Sequence, residues 1–423
     1  MAKVLISFIG VGRLVKGKEA NREYEKAKYC FNGKEYETSF VTAALKEFLD
    51  IDKLFLFGTM KSMWEEVYRY FGQGKQDFDE NYFWELAKEC SEATHQHKLQ
   101  PNLFSNLSDV LGKDSKATPI HYGITDDEIK KNFKIFEDTL GDENLDDGDE
   151  VYLDITHSFR SLPIFATTAI NLIKDVSGKK IHLKGIYYGM LDITNELGYV
   201  PIVDLSYITE LQDWIKGAYA FEVAGNANLL VELLKQNNYN ESQKLDEFAK
   251  MLSLNFVHEV KSHIAVLKTL VNKKYDLPEA LIVPKAFKRF LDFFSNAKTL
   301  SDYQLLLAKW HYNKSAFGLS YLCLIESLIS YQIERDTDNE KDVKNVEIRT
   351  KTKGNLSPDL NAIFGPANQY RKAIAHVTEE IPNVKNKGNI YKIDEAKAIT
   401  NLGTYLKDLE RIKNANKHNQ PSN

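Results

Sequence analysis

Cysteine is scarce in this chain: there are three among 423 residues, Cys30, Cys90 and Cys323, odd in number and far apart. Such a set builds no disulfide framework, and a reducing cytoplasm is the expected compartment. Apolar runs long enough to span a membrane are missing, and the first residues enter a short strand rather than a charged segment followed by an apolar core, so no secretory leader is expected. Positive charge is not in excess either. With 55 Lys+Arg against 60 Asp+Glu the formal net charge is −5, which argues against broad, sequence-independent binding to duplex nucleic acid. There is no GxxxxGK[ST] loop and no complete GxGxxG: Gly10-Val11-Gly12 only begins the latter and Arg13 follows, which disfavours a nicotinamide enzyme. Cys90, His95 and His97 form a C-x4-H-x-H cluster without a fourth ligand at a usual spacing, so no metal is expected.

What is present is a chain long enough for two or three domains, with 43 % hydrophobic residues to pack them. In the first half, β-rich apolar runs at 3–9, 53–57, 118–123, 150–155, 181–188 and 200–205 alternate with helical patterns at 39–49, 62–71, 126–140 and 159–174. That order predicts a doubly wound α/β sheet. An insertion, 24–31 then 34–40, is joined by Asn32-Gly33 and reads as a type I′ hairpin projecting from the sheet. The acidic stretch 142–150 reads as a solvated loop, since its carboxylate spacing does not suit a calcium loop. After residue 205 strand patterns give way to helical ones, expected at 206–235, 242–270, 278–297, 303–334, 366–377 and 394–415. Charge is uneven as well: from Lys341 onward there are 15 Lys+Arg against 9 Asp+Glu, a local +6 that leaves −11 for residues 1–340. The basic end would hold a polyanion or simply be solvated.

The most informative stretch is Asp154-Ile155-Thr156-His157-Ser158-Phe159-Arg160-Ser161-Leu162-Pro163. A parallel strand that ends in Thr-His-Ser and runs into a helix puts hydroxyls, an imidazole and backbone N–H groups where anions are favoured, and Arg160 adds a planar, permanently charged fork. A capped strand-to-helix turn with Thr156 or Ser158 as the N-cap explains the same residues. The run resembles the D-x-T-H-G-x-R-x-x-P motif of the DxTHG family of type III CRISPR-associated proteins, with Ser158 in place of glycine. Other segments resemble that family in the same order: Val4 to Gly12 its first strand and glycine loop, Phe55 to Ser62 with Trp64 its second, and Gly185 to Met190 a late strand.

The resemblance implies a Rossmann-like sensor domain (CARF) at 1–205, a helical linker at 206–300 and an all-α ribonuclease domain of HEPN type at 301–423. It implies cyclic oligoadenylate, with cyclic tetra-adenylate foremost, as an activator rather than a cofactor. It also implies single-stranded RNA as the substrate and a homodimer whose two-fold axis suits a cyclic ligand. Implied ligand contacts are Gly10, Gly12, Thr59, Ser62, Thr156, His157, Ser158, Arg160, Tyr188, Gly189 and Met190.

In the helical half Arg371-Lys372-Ala373-Ile374-Ala375-His376 fits the R-x(4–6)-H signature of such ribonucleases. A second fit, Arg411 to His418, lies in an Asn- and Lys-rich end expected to fray, whereas Arg371 and His376 sit on a helix expected to open at Gly365-Pro366. A histidine that exchanges a proton near neutrality and an arginine that neutralises a phosphorane are the groups needed to cut RNA without a metal. A helical histidine held by the dipole near a C-terminus is the plainer reading of His376. Glu326, on a helix face with Leu319, Leu322, Cys323, Ile325 and Ile329, is left unassigned. A ligand-binding regulator without chemistry and a sensor that degrades its own ligand remain alternatives.

Overall fold

The computed structural model describes residues 1–11, 24–75, 78–141, 143–157, 159, 161–337, 339, 341–376, 380–382, 390–392 and 394–418, and for 376, 380–382, 390–392, 417 and 418 the backbone alone. The chain divides into two compact units, Met1–Glu210 and Leu211–Asn423.

In the first unit an eight-stranded mixed sheet is ordered β3-β2-β8-β7-β6-β1-β4-β5. Its strands are β1 (Lys3–Ile9), β2 (Ala27–Phe31), β3 (Lys34–Thr38), β4 (Lys53–Thr59), β5 (Lys116–Ile120), β6 (Glu150–Asp154), β7 (His182–Gly189) and β8 (Val200–Asp204). β1 and β4 are nearly continuous apolar runs because both faces of the sheet are covered. Side chains alternate: Val4, Ile6 and Phe8 join one core layer, and Leu5 and Ile9 join the other. The helices are α1 (Val41–Leu49), α2 (Trp64–Gly72), α3 (Glu80–Glu92), α4 (Ser105–Leu111), α5 (Asp126–Leu140), α6 (Leu162–Asp175) and the single turn α7 (Thr194–Leu197). The five parallel strands run β5-β4-β1-β6-β7, a Rossmann order that reverses at β1 and so opens a crevice at the strands' C-terminal edge.

Several local expectations are corrected here. The insertion hairpin does not project; β2 pairs with β8, so the hairpin extends the sheet. Its turn has positive φ at Asn32 (49°) and Gly33 (77°), as a type I′ turn requires. β8 runs antiparallel to β7. Helices α3 and α4 lie in a stretch whose apolar residues gave no clean period. The acidic loop is tied down at its end: Asp149 is buried and accepts the N–H groups of Ala2 (2.6 Å) and Asp146 (3.0 Å).

The second unit is helical: α8 (Ser206–Ala224), which starts in the first unit, then α9 (Asn228–Gln236), α10 (Ser242–Leu254), α11 (Val260–Val271), α12 (Glu279–Phe293), α13 (Leu300–Asn313), α14 (Phe317–Asp336), α15 (Val346–Gly354), α16 (Pro358–His376) and α17 (Glu395–His418), with a small hairpin of β9 (Glu380–Pro382) and β10 (Ile390–Lys392). Three expected long helices are each two. Left-handed residues break them at Gly225 (φ 70°), Asn255 (φ 55°) and Ser315 (φ 57°), because αL backbone cannot continue a right-handed helix. α16 opens at Pro358 rather than at Pro366, which lies inside it. The cost of an interior proline is offset by burial of Leu360, Ile363, Phe364 and Ala367 on either side of it. α17 reaches His418, past the point where fraying was expected. Among the described residues no helix is long and apolar enough to cross a membrane.

α14 is the axis of this unit, buried around most of its circumference. Its serines let α13 come close: Ser320 donates to the Ala308 carbonyl at 2.7 Å and Ser327 to the Ser301 carbonyl at 2.8 Å. Glu326, left open from the sequence, pairs with Arg349, whose guanidinium also donates to Ser330 (3.0 Å) and the Val343 carbonyl (2.7 Å). α17 is fastened by one buried charge. Lys413 lies 3.0 Å from Asp302, donates to Ser301 Oγ and sits 4.5 Å from the Tyr331 ring centre.

Burial disfavours ionised Asp302, but the Lys413 charge, its hydrogen bond and the N–H groups of Lys298 and Thr299 outweigh that and hold the carboxyl below the usual carboxylate range. A depressed folded pKa gives stability that is fully present above the unfolded pKa and is lost as pH falls through the folded one. Lys413→Met should therefore cost about 3 kcal/mol at neutral pH by leaving Asp302 buried without its cation, and less at acid pH, where the variant's buried carboxyl takes up a proton while the parent loses part of its ion pair. Urea unfolding at pH 7 and pH 3 checks this; an equal loss at both values would remove the ion pair from the account.

Candidate functional site

The crevice predicted by the strand order is real. A cavity of about 370 Å³ lies at the ends of the parallel strands, lined by Ile9, Gly10 and Val11 after β1, Thr59, Lys61 and Ser62 after β4, Tyr122 after β5, and Thr156, His157, Phe159 and Leu162 after β6. Gly12, Ser158 and Arg160, also expected at this site, lie outside the described residues. A second cavity, about 270 Å³, shares His157. A larger cleft of about 720 Å³ runs between α2 and α3 and includes none of the expected residues.

The turns around the first cavity are built from close approach and buried hydrogen bonds. Gly58 has no room for a side chain: a Cβ there would sit 2.8 Å from the Trp64 ring and 2.9 Å from both the Ile9 carbonyl and Ser62 Oγ. Ser62 is buried and donates to the Ile9 carbonyl at 2.6 Å, while Trp64 Nε1 donates to the Thr59 carbonyl at 2.9 Å. The amide of Met63 reaches the Gly10 carbonyl at 3.2 Å, and the Tyr24 hydroxyl donates to that same carbonyl. Ser62 therefore clamps one loop to the other as well as lining the cavity.

At the end of β6, Asp154 is fully buried. Its Oδ2 takes the Ser7 hydroxyl at 2.6 Å and its Oδ1 the Thr156 amide at 2.9 Å. Ser7 Oγ lies 2.7 Å from Thr42 Oγ1, and since Ser7 gives its proton to Asp154, Thr42 is the donor there. Thr156 Oγ1 accepts the Gly189 N–H at 2.8 Å, and its hydroxyl also hydrogen-bonds the Asp154 carboxyl, so the side chain is engaged on both sides by the protein. The helix expected to start at Phe159 starts at Leu162, with Ser161 before it making no side-chain cap. Neither Thr156 nor Ser158 is thus the N-cap.

Burial raises the Asp154 pKa, against the opposing hydrogen bonds of Ser7 and Thr156 and the pull of His157. Burial also lowers the His157 pKa, against the pull of Asp154. At neutral pH the His157 ring is accordingly uncharged, a donor or acceptor rather than a cation. Exposed Lys61, which the sequence reading passed over, brings positive charge to this cavity. The reading also missed an aromatic wall: Tyr122 and half-exposed Phe159 stand 5.6 Å apart between ring centres. Tyr122 follows β5 with no motif to mark it, while Phe159 sat inside the motif at a position that specifies no residue type.

Tyr188, Gly189 and Met190 end β7 and line neither of these two cavities. Gly189 packs on Thr156, to which a Cβ would come within 3.2 Å, and the Met190 amide donates to the Pro201 carbonyl at 3.0 Å.

In the second unit Arg371 and His376 both lie on α16, with His376 its last residue. Five residues apart on a helix, they are separated by about 140° around its axis. Half-buried Arg371 donates from Nε to Asn368 Oδ1 at 3.2 Å. The helix is held by Tyr370, whose ring stacks on Tyr321 at 5.7 Å and whose hydroxyl accepts from Asn401 at 3.2 Å. Among the described residues no group of three or more His, Cys, Asp and Glu side chains could hold a metal ion. Cys90 is buried, and His97 Nδ1 accepts the Thr94 amide at 2.9 Å.

Comparison with known proteins gives this geometry a context. Residues 4–192 match the family model described as CRISPR system endoribonuclease Csx1, CARF domain, and residues 210–302 match that of CRISPR-associated protein MJ1674, second domain. The chain is 36 % identical over 344 residues to CRISPR-associated protein MJ1674 of Methanocaldococcus jannaschii, across 78 % of this chain and 53 % of the relative, so it spans about half the length of that protein. Among solved structures, Enterococcus italicus Csm6 bound to cyclic hexa-2'-fluoro-hexa-dAMP aligns over 96 % of this chain and 93 % of its own, at 11 % identity and a TM-score of 0.35, a likeness too slight to build on. The first half of the chain is a CARF domain of the Csx1 family, and the helices that follow it carry the second-domain module of MJ1674.

Proposed function

We propose that the chain is a homodimeric, cytoplasmic ribonuclease of CRISPR defence, switched on by a cyclic oligoadenylate and cutting single-stranded RNA without a metal. The observation that carries this reading is the cavity at the C-terminal ends of β1, β4 and β6, in a domain of the CARF family. Its parts suit a nucleotide. The Gly10 turn brings backbone close, Thr156 and His157 present polar groups, Lys61 supplies charge for phosphate, and the Tyr122–Phe159 wall offers a face for a base; Arg160, expected from the motif, would add a second cation. Two such cavities about a dimer axis suit a ring with repeated nucleotides, and cyclic tetra-adenylate, two nucleotides per subunit, is the ring we favour.

Residues 301–423 then form the HEPN-type effector, reached through the helices of 206–300. Cleavage needs the 2′-oxygen to lose a proton as it attacks phosphorus and the 5′-oxygen to gain one as it leaves. His376 would exchange the proton and Arg371 would neutralise the pentavalent phosphate. Their angular separation on α16 is met if the pairs of two subunits face each other across a composite site, each subunit supplying part of it. A ligand switches such a site on only by binding the active arrangement more tightly than the resting one.

His376→Ala and Arg371→Ala should each abolish RNA cleavage while leaving ligand affinity nearly unchanged, and EDTA should leave the parent rate intact. Gel assays of RNA cut with and without each cyclic oligoadenylate check this. A His376→Ala protein that cuts at the parent rate sinks the effector assignment. Ligand turned to linear adenylates with RNA untouched would favour a sensor that degrades its own activator.

Arg160→Ala and Lys61→Ala should each weaken binding of cyclic tetra-adenylate by roughly ten- to a hundredfold, since a hydrogen bond to a charged group contributes about 1.5–3 kcal/mol. Thr156→Val should lose less, because that hydroxyl is engaged by Gly189 and Asp154 within the protein. Calorimetry showing parent affinity in both charge variants would remove the phosphate role given to this cavity.

A further inference from the structure

The cavity of about 270 Å³ that shares His157 is used by nothing described so far. It lies just below the roughly 300–1,000 Å³ of whole small-molecule sites, so it suits a piece of a ligand better than a complete one. His157 lines both cavities, and a ligand that fills the first can continue into the second past that ring. The two are also joined through backbone: Tyr24, in the second, donates its hydroxyl to the carbonyl of Gly10, in the first.

Several polar groups of the second cavity, which Glu25, Lys26 and Ser39 also line, are already engaged. Thr194 has given its proton to the Leu191 carbonyl at 2.6 Å. Lys28 is paired with Glu35 at 3.3 Å. Tyr29 is buried, and its hydroxyl is held far above its ordinary range by that burial and then by Asp154, so it stays neutral. Exposed Asn195 makes no hydrogen bond among the described residues, which leaves a carbonyl acceptor and an amide donor side by side. That pair matches the edge of adenine, where the 6-amino group donates and N7 accepts. It does not match a 6-oxo purine, which offers two acceptors there.

We propose that this second cavity is a nucleotide subsite and that Asn195 reads the base held in it as adenine. The inference rests on the sensor reading above and specifies how that sensor would tell adenylates from other cyclic nucleotides. A single bidentate pair discriminates by about 1–3 kcal/mol, or roughly five- to a hundredfold.

The test is calorimetry of the full chain with cyclic tetra-adenylate and with its inosine counterpart, in which the 6-amino group is replaced by oxygen. The parent should prefer the adenylate by about tenfold or more, and Asn195→Ala should bind the two alike, mainly through loss of adenylate affinity. Asn195→Gln should restore part of the preference. An Asn195→Ala protein that keeps the parent's preference, or a parent that has none, overturns the assignment of Asn195 while leaving the sensor reading in place. A parent that binds neither ring overturns the sensor reading, and this inference falls with it.

Discussion

Asp154 is the fixed point of the crevice at the strand ends. It lies at the last position of a central strand with no exposure, and a carboxyl group so placed is tolerable only if its oxygens are occupied. Ser7 on β1 takes one and the Thr156 amide takes the other. The first bond ties two adjacent parallel strands at the point where the strand order reverses, and the second turns the chain after β6 so that Thr156 and His157 face the crevice. Thr42, behind Ser7, brings α1 into the same chain of hydroxyls. The aspartate of the motif is therefore a positioning group, and a ligand would meet its effects rather than its oxygens.

The same burial decides where charge is available. His157 shares the enclosed environment of Asp154, and desolvation drives both toward their neutral forms. A phosphate entering this cavity would be countered by Lys61 at its rim and by backbone dipoles, not by the imidazole. An uncharged ring suits a wall common to two cavities, since it can donate on one side and accept on the other without holding an anion in place.

The architecture was legible where the period was clean and the partners were local. β1, β4 and β6 were found because strands covered on both faces read as unbroken apolar runs, and the Asn-Gly turn was found because only such residues accept positive φ twice. What failed needed partners distant in sequence. The hairpin reads identically whether it projects or pairs with β8. α14 shows no single apolar stripe because it is buried nearly all round, so Glu326 looked isolated until Arg349, 23 residues on, closed over it. The helix breaks at 255–259 and 314–316 each contain one left-handed residue, and a lone asparagine or serine, without the glycine that follows Asn32, is too common inside helical patterns to mark a break. In the site, Gly10, Thr59, Ser62, Thr156 and His157 line one cavity, but Ser62 and Thr156 spend their hydrogen bonding on the protein itself, and Tyr122 belongs to no pattern that a single sequence displays.

The helical half repeats the logic of the sensor in another form. Its long helices are drawn together by small hydroxyls on α14 and by buried Lys413 of α17, which tie α13, α14 and α17 to one another. α16 is joined to them through the Tyr370 ring against Tyr321 and the bond from Asn401, contacts made one residue before Arg371. The arginine therefore stands at the edge of a rigid block, restrained by Asn368 on its own helix, while the histidine falls at that helix's last residue. On the composite-site reading proposed above, a pair so divided between a braced position and a helix end would be completed from a second subunit.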